Sequence, residues 1–195
     1  MSDSPEGTPR AVRELCDACV QYVHRATRVE LDFTADTLPL LDHYLRGVRE
    51  GDEAIRALVA PAAGAYFGEV VRGLFPARWH SPTDDWSDWR VEFERCFLHF
   101  NPVALAHEAI LGQEIIEGGA GFGVNLQDVE TLRDALEVLG TTTEEDYFLL
   151  STRLEVLTVL VDRLMASAAA RGETHFNYPS ALYRSVLGDE PPELS

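Results

Sequence analysis

The chain has 195 residues, 46% of them hydrophobic and 25% charged, with 33 acidic side chains against 16 basic ones and a net charge of −17. That length and balance fit one folded domain with its own core and exclude bulk disorder. A surplus of this size repels phosphate backbones and anionic lipid headgroups, so nucleic acid and membrane are not expected partners; a protein with a basic surface is.

Every basic side chain is arginine and there is no lysine. Schiff-base chemistry, a phosphate-loop lysine and a lysine general base are therefore excluded. Three cysteines do not make a disulfide framework. The first residues lack the basic and apolar regions of a signal peptide, and no run approaches the roughly 20 apolar residues of a membrane span. The expectation is a cytoplasmic protein without cofactor or metal.

In chain order, residues 1–9 read as a flexible tail. Residues 10–27 carry an apolar helical stripe of Val12, Leu15, Cys16, Cys19, Val20 and Val23. Residues 29–33 alternate like a short strand. Thr34 or Asp36 then caps a helix bearing Leu38, Leu41, Tyr44 and Leu45. The next helical stretch contains Pro61, which lacks a backbone N–H, so the pattern predicts two helices, 52–60 and 61–74. Residues 89–94 alternate apolar and charged side chains, as on a half-buried strand, with partner strands expected at 96–100 and 77–80. Asn101-Pro102 is a cap and first position for a helix to about Leu111.

Residues 118–123 are glycine-rich and read as a flexible loop. Asn125 is expected to cap a helix that ends at Gly140. Thr142 to Glu145 reads as a capping box opening the longest helix, 143–171. Tyr147, Leu150, Leu154, Leu157, Val161, Leu164 and Ala168 form a heptad stripe on it, which suits core packing and leaves a homodimer possible. Residues 188–195 read as a second tail. The fold expected is α+β: one domain over 10–187, with helices on a small antiparallel sheet and a long C-terminal helix.

Several residue groups resemble fragments of catalytic machinery. Cys16 and Cys19 form a C-x-x-C, but mid-helix on the apolar face, where buried inert thiols are expected. His107-Glu108 lacks the second histidine of a zinc-protease helix, because Leu111 stands there. The glycines at 118–123 do not complete a dinucleotide fingerprint. His80 with Asp84 and Asp85, and Cys96 with His99, have the letters of a catalytic site without its spacing logic.

The sharpest stretch runs from Gly64 through Tyr66, Gly68, Glu69 and Arg72 to Trp79. Gly64 and Gly68 lie one helical turn apart. Each costs about 1 kcal/mol against alanine, so something must approach closely, either a backbone or a ligand. Helical geometry places Glu69 within an apolar face, where a buried acid needs a partner such as Arg72 or Arg78. Two readings follow: an ion pair that fixes packing, or an acid lining a ligand pocket beside Tyr66, Glu69, Arg72 and Trp79.

Residues 29–112, and above all Gly64, Tyr66, Gly68, Glu69 and Trp79, resemble bacterial families of unknown function that share a G-A-Y-x-G-E-V helix followed by a Trp-bearing strand. The resemblance implies a small cytosolic domain and supplies no activity. With no complete catalytic motif, the function expected is a non-enzymatic interaction or regulatory module, of the kind an immunity protein represents, holding a basic protein partner. The alternatives are a small-ligand binder or enzyme at the Glu69 stretch, and a helix-mediated homodimer; residues 125–187 form a helical part that carries no resemblance.

Overall fold

The computed structural model describes residues 7–115, 121–137, 142–173 and 177–188. Its first helix, α1 (Arg10–Thr27), buries Val12, Cys16, Cys19 and Val23, as the stripe predicts. It ends at Arg28, in the left-handed region, whose N–H returns to the His24 carbonyl. No strand follows. Of the alternating residues only Leu31 is buried, while Val29 and Phe33 are exposed. The backbone instead turns at Phe33, which holds a φ of 62°. This bulky residue is kept there by its neighbours: the Asp32 carboxylate accepts from the Thr34 N–H and from the Thr34 and Thr37 hydroxyls. A 3-10 turn, Ala35–Thr37, leads into α2 (Leu38–Arg49), which buries Leu38, Leu41, Leu45 and Val48.

The next helix, α3 (Glu53–Leu74), is continuous; Pro61 lies inside it rather than at the start of a second helix. Asp52 caps it by accepting from the Ile55 N–H. Residues 59–68 are buried without interruption, so packing on all sides outweighs the roughly 3 kcal/mol that an interior proline costs. Joining the two expected helices also makes α3 long and apolar enough to cross a membrane by composition, although 67% of its most apolar window is buried inside the fold.

Beyond Pro76 a four-stranded antiparallel meander is built from β1 (Ala77–His80), β2 (Arg90–Phe93), β3 (Leu98–Phe100) and a two-residue β4 (Gly123–Val124), in the order of the chain. Trp79 pairs with Val91, Val91 with Phe100, and Leu98 with Val124. Between β3 and β4 lies α4 (Pro102–Leu111), whose cap Asn101 accepts from the Val103 and Ala104 N–H groups. Gly123, expected in a flexible loop, is a strand residue against which the His99 ring lies; the loop glycines 118 and 119 fall outside the described residues.

The C-terminal half departs from the expected single long helix. Asn125 makes no side-chain cap; a 3-10 turn, Leu126–Asp128, precedes α5 (Val129–Glu137), and its expected end at Gly140 falls outside the described residues. The capping residue ahead of α6 (Glu144–Tyr147) is Thr143, which accepts from the Asp146 N–H. The helix then breaks, and α7 (Leu150–Ala170) begins afresh. Its first turn is capped from another helix: Asp42 of α2, 3% exposed, accepts from the Leu150 and Ser151 N–H groups and the Ser151 hydroxyl. At 21 residues α7 is shorter than the 22 of α3, and it is followed by α8 (Ser180–Leu187), so no long C-terminal helix dominates. Leu150, Leu154, Leu157, Leu164 and Ala168 of the heptad stripe are buried within the chain.

One face of the sheet joins α1–α4 and α7 in the main core. The other face is covered by the C-terminal segment. Glu92, expected on a solvated face, is wholly buried: it accepts from Arg78, Arg90 and Ser180. Tyr183 reaches between the strand ends, taking the Leu98 N–H on its hydroxyl and placing that hydroxyl against the Phe93, Cys96 and Leu98 carbonyls.

Both α3 glycines mark a close approach. A Cβ on Gly64 would stand 2.6 Å from the Val103 Cα and 2.7 Å from the Pro102 carbonyl oxygen, and one on Gly68 would stand 2.3 Å from the Trp79 ring. Alanine gains about 1 kcal/mol of helix propensity over glycine, but at Gly64 the obstacle is the α4 backbone. Gly64→Ala is expected to lower the urea midpoint by the equivalent of about 2 kcal/mol. Gly73→Ala in the same helix, with nothing within 4 Å of the new methyl, is expected to leave the midpoint unchanged or raise it.

Candidate functional site

Glu69 lies near the end of α3, and Trp79 of β1 reaches it after a turn at Pro76. Its Oε1 accepts from the Trp79 indole Nε1 at 2.6 Å and from Arg72 Nη1 at 2.7 Å. Its Oε2 accepts from the Thr8 hydroxyl at 3.0 Å, and Arg72 also donates to Thr8 Oγ1 at 2.7 Å and to the Ala77 carbonyl at 3.1 Å. The two charged side chains are only 10% and 9% exposed. Glu69, Arg72 and Trp79 thus form one network, closed by Thr8, a buried residue in the stretch read as a flexible tail. Its Trp79 donor is the same indole that lies on Gly68, so the glycine and the carboxylate serve one side chain.

Tyr66 belongs elsewhere. Its hydroxyl accepts from the Phe33 N–H at 2.8 Å and lies 3.0 Å from the Thr37 hydroxyl, while its ring packs 4.7 Å from that of Phe33. It props the positive-φ turn rather than the Glu69 network. Burial is the main cause of the upward shift of its phenol pKa, which suits a neutral hydroxyl in that role.

The cysteines and Glu108 of the other motifs are enclosed in the fold. Cys16, Cys19 and Cys96 are buried free thiols; burial pushes Cys19 and Cys96 up to about 12 and Cys16 higher still. Thiolate chemistry at neutral pH has no support from such groups. Glu108 accepts from Arg153 Nη2 at 2.9 Å and from the Ile115 N–H, and Arg153 stacks on the Tyr147 ring. Burial raises the Glu108 carboxyl pKa against the opposing pull of those two donors. Among the described residues no three His, Cys, Asp or Glu side chains converge to hold a metal ion.

Sequence reasoning missed a cleft of about 200 Å³ between the turn Trp86–Asp88 and α4. Asp85, Trp86 and Ser87 form one wall, and Asn101, Val103 and His107 the other. The walls are tied together, since the Asn101 amide donates to the Trp86 and Ser87 carbonyls. The sequence signal was present in Asn101, read as a helix cap: its carbonyl oxygen caps α4 while its amide holds the opposite wall.

Glu69→Gln is expected to cost about 3 kcal/mol, because the Arg72 charge then stays enclosed without its counter-ion. Combining it with Arg72→Met should recover part of that loss, as both charges leave together. Denaturant unfolding of the two variants checks this; an unchanged midpoint for Glu69→Gln contradicts a structural ion pair. For the thiols, the folded protein at pH 8 should release almost no chromophore from a disulfide reagent, against three equivalents in denaturant. Comparison of the chain with models of protein families, with curated proteins and with solved structures gives no match.

Proposed function

We propose that this chain is a non-catalytic interaction module that holds a partner with a basic surface against its acidic exterior. The observation that carries the reading is how the charges are distributed. Arg72, Arg78, Arg90, Arg153 and Arg171 are drawn into ion pairs with Glu69, Glu92, Glu108 and Asp128. Among the described side chains these four acids and Asp42 are enclosed, and every other acid is exposed or half-buried. A field of that sign accelerates encounter with a basic protein and repels anionic surfaces.

The groups that suggested chemistry add weight to the same reading. The thiols are buried and protonated, and the one inward-facing acid singled out from the sequence is paired with donors of its own chain.

The test begins with capture on the immobilised full-length chain at 50 mM salt, followed by purification of each captured protein and measurement of its Kd from 50 to 500 mM salt. The expected result is a basic partner whose Kd rises at least tenfold over that range. Failure of every purified basic candidate to bind, or binding indifferent to salt, overturns the proposal.

A further inference from the structure

We infer that the cleft beside Trp86 seats one arginine side chain of the basic partner, its guanidinium stacked on the Trp86 indole and paired with the Asp85 carboxylate. This rests on the interaction reading above and gives it a point of contact.

Three properties of the cleft select that occupant. Its size is the first: about 200 Å³ holds one long side chain but falls below the roughly 300–1,000 Å³ of pockets for drug-sized ligands and cofactors.

Its charge is the second. Asp85 is the acid in the wall, with Asp84 and Asp88 flanking the same turn. The Ser87 backbone N–H, 2.9 Å away, holds the Asp85 carboxyl below its ordinary range, so it stays ionised. Ser87 occupies only part of the roughly four acceptor sites of that carboxylate. On the facing wall, burial first and the Arg56 charge second push the His107 pKa down, so at neutral pH the imidazole is uncharged and offers an acceptor. Arg56 itself is turned to the Arg49 and Gly51 carbonyls.

The aromatic wall is the third. Trp86 is 39% exposed, and it stands edge-on to the buried Trp89 at 5.4 Å. Trp89 is anchored through its indole N–H to the Thr83 carbonyl at 2.8 Å. An exposed indole held beside a fixed carboxylate is worth most to a planar cation, which stacks on one and pairs with the other. The turn is set before any ligand arrives, so little ordering entropy opposes binding.

The test follows the Trp86 indole N–H signal by NMR while N-acetyl-arginine amide is added, with N-acetyl-citrulline amide as the uncharged isostere. The arginine compound is expected to shift that signal saturably, with citrulline at least tenfold weaker. Asp85→Asn, which keeps the bond to the Ser87 N–H and removes the charge, should weaken arginine at least fivefold at an unchanged thermal midpoint. Equal responses to the two amides, no saturation, or wild-type affinity in Asp85→Asn overturns the seat. With the purified partner, Trp86→Ala should raise Kd at least tenfold. A partner that binds with salt dependence yet ignores Trp86→Ala overturns the seat and leaves the interaction reading standing. A saturating arginine amide with no basic protein partner overturns the interaction reading and assigns the cleft to a free cationic ligand.

Discussion

The closeness with which α3 is approached on two successive turns is the constraint on which the rest of the structure depends. At Gly64 the backbone of α4 lies where a side chain would start, and at Gly68 the Trp79 ring does. The first contact fixes the spacing of two core helices, and the second brings the edge of the sheet onto the same helix. Once Trp79 lies across Gly68, its indole N–H is enclosed and needs an acceptor. Glu69, the next residue, supplies it. The carboxylate in turn requires a cation, which Arg72 provides one turn further on, and Thr8 takes the second oxygen. A chain of necessities thus runs from a missing methyl group to a buried ion pair and to the anchoring of the segment ahead of α1.

The same rule governs the other enclosed acids. Each is met by a donor from another element: Asp42 by the first turn of α7, Glu92 by Arg78 of β1 and Ser180 of α8 beside Arg90 of its own strand, Glu108 by Arg153, and Asp128 by Arg171. Such pairs contribute little net stability over apolar substitutes, but losing one partner is costly, so they penalise wrong assemblies more than they reward the right one. Their placement at junctions fits that role. Asp42 decides where α7 starts, and Glu92 fastens the C-terminal segment over the outer face of the sheet.

What the sequence made legible was mostly local. The spacing of Gly64 and Gly68 implied a close approach, the helical angle turned Glu69 inward, Asn101-Pro102 marked the start of α4, and alternation over 89–94 marked β2. What stayed hidden depended on partners far along the chain. Residues 29–33 alternate like a strand, yet the Tyr66 hydroxyl and the Asp32 side chain stabilise a turn there instead. The break before α7 needs Asp42, which lies 108 residues from Leu150. Pro61 argued locally for a helix end, but burial of its neighbours on every side overrode it. Tyr66 was grouped with Glu69 because residues three apart share a helix face, yet their polar tips diverge: the Tyr66 hydroxyl goes to Phe33 and Thr37, and the Glu69 carboxylate to Trp79, Arg72 and Thr8.

Inward pairing also shapes what the outside offers. Arginine is the only strongly basic side chain in this chain, and its planar, multi-donor group is what meets the enclosed carboxylates Glu69, Glu92, Glu108 and Asp128. Each arginine used in that way is lost to the surface, where it would have screened a neighbouring acid. The turn 83–88 carries three acids and no basic residue, and it holds Asp85 through the Ser87 N–H and Asp88 through the Thr83 hydroxyl. An acidic surface made of mobile side chains attracts any cation weakly. A carboxylate fixed beside an anchored indole adds geometry to charge, and geometry is what separates selective recognition of a partner from nonspecific attraction.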